Sequence, residues 1–188
     1  MKILYIHGFA SKFDVANEKV VGLKSLGEVV GITVDYTRPW IDVFNLLAST
    51  AMHERVDLIV GTSLGGYWAA EIGEHFGIPF VALNPSIEPS VTLKRYEGKN
   101  VSYTGDEYEL SSSVIDSYAN RDFAVSGSGL VILDAADEVL DSDRTKRLLE
   151  PHYAVSVFDG GSHRFEHINE SLELIEKHVL NSELVYGS

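Results

Sequence analysis

Gly61-Thr62-Ser63-Leu64-Gly65 lies between an apolar run, Val56-Asp57-Leu58-Ile59-Val60, and a helix-like stretch, Tyr67-Trp68-Ala69-Ala70-Glu71-Ile72. Strand, small-x-Ser-x-small, helix predicts a sharp, strained turn with the serine at its tip. Strand and helix then approach so closely that residues two places either side of the serine must be small. The following helix directs its first N–H groups and its positive dipole end at any negative charge that develops there. The same five residues could also form a glycine-rich turn whose serine merely caps a helix. The flanks on both sides favour a nucleophile, and the partners a nucleophile needs decide the rest.

Outward from this turn, short apolar runs alternate with longer amphipathic ones, which reads as βα units on a mostly parallel sheet of about six strands. The expected strands are Lys2–His7, Val29–Asp35, Leu58–Gly61, Phe80–Leu83, Leu130–Asp134 and Ala154–Phe158. They are continuous rather than alternating, as in strands covered on both faces. Helices are expected over Val15–Leu26, Ile41–Ala51, Gly65–Phe76, Ser112–Tyr118, Asp143–Glu150 and Ile168–Leu180. In the last, Ile168, Leu172, Ile175 and Val179 form a core-facing stripe. The whole chain, 1–188, reads as one α/β domain. Residues 85–128 interrupt the alternation with Pro89, Tyr96, Tyr103 and Tyr108 and weak periodicity. A connection of that length inside a compact domain is usually functional, and it is expected to form a short lid over the serine.

The 188 residues suffice for a sizeable core. With 15 basic and 28 acidic side chains the net charge is −13, which argues against nucleic acid or an anionic membrane as partner, since both require basic patches. The absence of cysteine excludes disulfides and thiolate metal sites. Met1-Lys2-Ile3-Leu4-Tyr5-Ile6 begins a strand at once, leaving no room for a signal peptide, and no apolar run reaches membrane-spanning length. A soluble, cytoplasmic protein without membrane insertion is the expectation. No His and carboxylate spacing suggests a zinc helix, so neither a metal nor another cofactor is expected.

A serine nucleophile needs a base, and the base needs an orienting carboxylate. In the nucleophile-elbow arrangement these follow the serine in the order acid, histidine, on loops after later strands. Asp137 follows the Leu130–Asp134 strand and His163 follows the Ala154–Phe158 strand, in that order. Asp134 is assigned to the strand end, Asp141 to the cap of the next helix, and Glu138 to the side facing away from the site. His7, His53, His75, His152 and His178 fit structural roles, His7 as a brace for its own loop. The oxyanion should meet two backbone N–H groups. Leu64 supplies one; the loop His7-Gly8-Phe9-Ala10-Ser11 supplies the other, from Phe9 or, failing that, Ala10.

Across Tyr5-Ile6-His7-Gly8-Phe9, Gly61 to Tyr67, Asn84-Pro85, Tyr103-Thr104-Gly105, Asp137 to Asp141 and Gly160-Gly161-Ser162-His163, the chain resembles the small bacterial esterases of the YqiA/YcfP-like family, within the α/β-hydrolase superfamily. The resemblance implies a minimal α/β-hydrolase core with helices on both faces. It further implies hydrolysis of a small-molecule acyl ester or thioester by Ser63, Asp137 and His163. Two positions depart from the pattern: Ala136 stands where glycine is expected before the acid, and Arg164 stands beside the histidine where a small residue is expected. Arg164 is therefore a candidate to narrow the pocket mouth or bind an acidic substrate group, and Tyr96, Tyr103 and Tyr108 are candidates to line an apolar pocket. The expected activity is carboxylic-ester hydrolysis through an acyl-enzyme. The alternatives are a thioesterase or amidase with the same residues, or a non-catalytic binding protein on this fold. Oligomeric state is left open.

Overall fold

The computed structural model describes residues 1–186. Six parallel strands form one sheet in the order β2-β1-β3-β4-β7-β8: β1 (Lys2–Ile6), β2 (Glu28–Val30), β3 (Leu58–Thr62), β4 (Phe80–Leu83), β7 (Gly129–Asp134) and β8 (Ala154–Phe158). The central strands are buried on both faces, so each alternates between two apolar layers. Leu4, Ile6, Ile59, Phe80, Ala82, Val131 and Leu133 face a core shared with α2 (Trp40–Glu54) and α3 (Leu64–Phe76). Ile3, Tyr5, Leu58, Val60, Val81, Leu83, Leu130 and Ile132 face the other core, closed by α1 (Glu18–Leu23) and α7 (Ile168–Tyr186). This is the expected α/β architecture, with helices on both faces.

The largest shortenings among the expected elements fall on one strand and one helix. Of the strand predicted over Val29–Asp35 only Val29 and Val30 belong to β2, which starts one residue earlier at Glu28. Beyond it the backbone serves side chains instead of the ladder: the Val34 N–H donates to His7 Nε2 at 2.8 Å, and Thr33 Oγ1 accepts from the Phe13 N–H. The helix predicted from Val15 starts at Glu18, because Asp14 Oδ1 takes the Ala16 N–H in a turn and Asn17 caps through the Lys19 N–H. Helices α2 and α7 extend past their predicted ends, α2 finishing on Arg55 in the left-handed region.

Residues 85–128 hold α4 (Pro89–Thr92), a 3-10 turn (Leu93–Tyr96), the antiparallel pair β5 (Gly98–Val101) and β6 (Glu107–Leu110), and α5 (Ser112–Asp116). The hairpin was not expected from the sequence. Its tip is fastened to the loop after β1 by the Tyr103 N–H, which donates to Ala10 O at 3.0 Å. The last helix before β8, α6 (Ser142–Leu149), is capped by Asp141 as expected, through the Arg144 N–H.

Candidate active site

Strand order brings the carboxyl ends of β1, β3, β7 and β8 to one edge of the sheet, where ligand sites of open α/β sheets form. At the end of β3 the chain turns into α3 through Ser63, whose φ of 57° and ψ of −121° are strained for a residue with a side chain. Such a conformation costs about 1–3 kcal/mol and persists only where surrounding packing enforces it. Here the enforcement is steric. A Cβ on Gly61 would stand 1.9 Å from Gly65 O, and one on Gly65 would stand 2.1 Å from Ile6 O. The two flanking glycines are therefore required by the close crossing of β3, α3 and β1.

Ser63 Oγ lies 2.9 Å from His163 Nε2. On the far side of the ring, His163 Nδ1 is 3.0 and 2.9 Å from Asp137 Oδ1 and Oδ2. A carboxylate only accepts, so Nδ1 carries the proton and Nε2 is left to accept from the serine hydroxyl. Asp137 is almost fully buried, and its Oδ1 also takes the N–H groups of Val139 and Leu140, both at 2.8 Å. Those bonds fix the carboxylate before the imidazole is considered. The structure thus joins the three residues singled out in the sequence, although Ser63 and His163 are a hundred positions apart.

The loop bearing His163 is held from several sides. Asp134, fully buried at the end of β7, accepts from the N–H groups of Ser162 and Glu166 and from His167 Nδ1. Gly161, with φ of 72°, passes so close that a Cβ would meet Asp134 Oδ2 at 2.0 Å. Asn84, itself at positive φ, donates through Nδ2 to Ser162 O and His163 O and accepts the Asp134 N–H. Lys19 Nζ donates to Arg164 O at 2.6 Å; burial lowers its pKa from the ordinary lysine value, with nearby Arg164 adding to the effect. Glu138 departs from expectation. Although exposed, it turns back so that Oε2 accepts the His163 backbone N–H at 2.9 Å, and that bond holds its carboxyl below the usual range.

In the loop after β1, His7 bonds to the backbone on both sides of its ring. His7 Nδ1 donates to Gly8 O at 2.8 Å and Nε2 accepts from Val34, while burial lowers its pKa; it is a neutral brace. The Phe9 N–H meets no acceptor among the described residues, and Leu64 occupies the first position of α3, whose N–H has no intrahelical partner. Alanine at 136 is accommodated at an exposed position of negative φ.

A cleft of about 700 Å³ opens over Ser63 and His163. Tyr103 and Arg164 line it as expected, with the Arg164 guanidinium 5.6 Å above the Tyr103 ring. Tyr108 does not line it; its ring packs edge-on against Phe9 from behind, because the pleat of β6 directs it to the aromatic layer. Tyr96, from the 3-10 turn, lines it as expected, and its neighbour Arg95 lines it too. Arg95 stands in a polar stretch without pattern, which gives it no signal in the sequence. The alternation of Glu107-Tyr108-Glu109-Leu110 behind Gly105-Asp106 was the available signal for the hairpin. Among the described residues no three His, Asp or Glu side chains converge to hold a metal ion.

Fold and site together define the α/β-hydrolase class of architecture. Est1E from Butyrivibrio proteoclasticus superposes with a TM-score of 0.70 at 15% identity, over 97% of this chain and 88% of that one. A Paleococcus ferrophilus monoacylglycerol lipase superposes with a TM-score of 0.69 at 14% identity, over 95% and 94%. More particularly, residues 2–179 match the family described as the uncharacterised protein family UPF0227, and the chain belongs to it. A UPF0227 protein of Yersinia pseudotuberculosis is 34% identical over 182 residues, 93% of this chain and 96% of that one. One from Vibrio parahaemolyticus is 31% identical over 182 residues, 93% and 97%. The expected kinship with the YqiA/YcfP-like hydrolase family holds. No described helix is long and apolar enough to cross a membrane.

Proposed function

We propose that the protein is a serine hydrolase that cleaves carboxylic esters through an acyl-enzyme on Ser63. The observation that carries this reading is the continuous relay from Ser63 Oγ to His163 Nε2 at 2.9 Å, and from His163 Nδ1 to the buried Asp137 carboxylate. His163 takes the serine proton as Oγ bonds to the acyl carbon. The oxyanion so formed accepts from the N–H groups of Leu64 and Phe9, which lie at the turn and the adjacent loop with their donors uncommitted. As the carbonyl re-forms, the C–O bond to the leaving group breaks and His163 Nε2–H protonates the departing alcohol. Water then repeats the two steps on the acyl-enzyme, releasing the acid and restoring Ser63. Asp137 holds the imidazole in the required tautomer and stabilises its cation. The insertion 85–128 acts as the lid that gives the pocket its mouth. The test is reaction of the folded protein with a fluorophosphonate, with the adduct mapped by mass spectrometry. A single adduct on Ser63, lost in His163→Ala, is expected; no adduct on Ser63 sinks the reading.

A further inference from the structure

Five charged side chains line the cleft beside the relay, three basic and two acidic. The two acids, Glu18 and Glu166, gather about Lys19, whose ammonium they favour. Lys19 is itself spent on the carbonyls of Arg164 and Phe165. The insertion contributes Arg95 with the phenols of Tyr96 and Tyr103, and Arg164, whose charge also reaches Lys19, brings its guanidinium over the Tyr103 ring. Tyr96 is held close to Tyr103 and Arg95 and packs its ring on Phe9 at 5.0 Å. Arg164 lies over Tyr103, and neither arginine enters an ion pair among the described residues. In a chain of net charge −13, two guanidiniums left unpaired beside the reactive serine make an anion-selective corner. Guanidinium presents a planar fork of donors matched to carboxylate and phosphate oxygens, and stacking on an aromatic ring pre-orders it.

We infer that the cleft takes esters carrying an anionic oxygen group, carboxylate or phosphate, near the scissile carbonyl, with Arg164 and Arg95 setting that specificity. The inference rests on the serine-hydrolase reading and adds the substrate class. The anion sits between the arginines on the hairpin side while the ester carbonyl reaches Ser63. Tyr103, fastened through its N–H to Ala10 O, positions Arg164 without touching the reacting atoms.

The test uses matched esters. Mono-4-nitrophenyl adipate is compared with 4-nitrophenyl hexanoate, and 3-phosphopropyl hexanoate with propyl hexanoate, which separates an acyl-side carboxylate from an alcohol-side phosphate. At least one anionic member should exceed its neutral partner by about fivefold in kcat/KM, mostly through KM, the order expected of exposed but bidentate Arg–anion pairs. The ratio should fall as ionic strength rises and should collapse toward one in Arg164→Gln and Arg95→Gln, with partial recovery in Arg164→Lys. Ratios near one in the wild type, with the neutral esters turned over, overturn the inference and leave the hydrolase reading intact. Absence of both turnover and fluorophosphonate adduct fails the hydrolase reading instead. Titration of the four compounds into Ser63→Ala protein then decides the anion site, and equal binding of charged and neutral partners overturns it.

Discussion

Two Asp–His pairs occupy the same two loops of this protein and do opposite things. Asp137 and His163 meet at 2.9 Å, and so do Asp134 and His167 at 2.7 Å, each through Nδ1. In the first pair the carboxylate is satisfied by two N–H groups of its own loop, and the distal nitrogen of the histidine faces Ser63. In the second the carboxylate takes two N–H groups from the opposite loop, and the histidine ring stacks on Phe158 at 5.0 Å. A carboxylate bonded within its own loop leaves its imidazole to serve the neighbouring serine. One that bonds across loops ties the histidine loop to β7 and sets where His163 sits. The chemistry of an Asp–His pair therefore does not tell which one faces a serine; the direction of the remaining bonds does.

The comparison breaks most sharply by substitution of the first pair. Asp137→Asn should lower kcat by about four powers of ten, as tautomer control is lost. Because the shape of the amide matches the acid, the melting temperature should move little. Ester turnover and a thermal melt on the same sample check both halves; an Asp137→Asn protein with near wild-type kcat would refute the assignment. Asp134→Ala should invert the pattern. It strips acceptors from two backbone N–H groups and one imidazole, each costing about 1–3 kcal/mol when left buried and unpaired. A melting point lower by roughly 5 °C or more is expected for a chain of this size, with activity falling only as the loop loses its place. Calorimetry that finds no change would remove Asp134 from its bracing role.

The sequence showed the first pair and not the second's purpose, for a physical reason. Order along the chain and position after a strand locate Ser63, Asp137 and His163, because the loops at the carboxyl edge of a parallel sheet must converge. Asp134 reads as the end of a strand, and it is one, but nothing in Leu133-Asp134-Ala135 announces three donors arriving from residues 162 to 167. The same limit explains β2. Ile32-Thr33-Val34 has strand composition, yet His7 claims the Val34 N–H, a tertiary bond that overrides local preference. The β5–β6 hairpin escaped because its strands are short and largely exposed, with Gly98, Lys99 and Asn100 giving one of them no apolar face. Arg95 has no signal of its own either, since its place in the cleft depends on how that insertion folds over the sheet.

Glu138 offers a finer probe of the first pair. Its carboxylate takes the His163 N–H from the solvent side, opposite to the support that Asn84 and Asp134 give the loop. Glu138→Ala removes that acceptor in an exposed setting, where water replaces it at little cost. A loss of kcat of about two- to fivefold, with KM and melting temperature nearly unchanged, is expected from slight misplacement of the base. Glu138→Gln, which keeps an acceptor oxygen, should recover most of the rate. Equal losses in both variants would mean that the charge, not the hydrogen bond, matters.

The smallest effect sharpens what makes a buried carboxylate tolerable. Asp134 meets three donors, whereas Glu71, half-buried on α3 behind Ser63, has its pKa raised to about 7 by burial, with Glu74 adding and Arg121 opposing. Arg121 is drawn aside, its guanidinium lying 3.9 Å over the Trp40 ring. The folded protein therefore holds a proton on Glu71 that the unfolded chain, with an ordinary glutamate value near 4.5, gives up. Folding stability from this group is fully present below about pH 4.5 and declines as pH rises to about 7. Glu71→Gln should remove that decline. Across pH 4.5 to 7 the melting temperature of the variant should gain on that of the wild type by roughly a few degrees, measured as the difference between the two at each pH. Parallel curves would mean that Arg121 already neutralises Glu71 and that α3, unlike the histidine loop, carries no unpaid charge behind the serine.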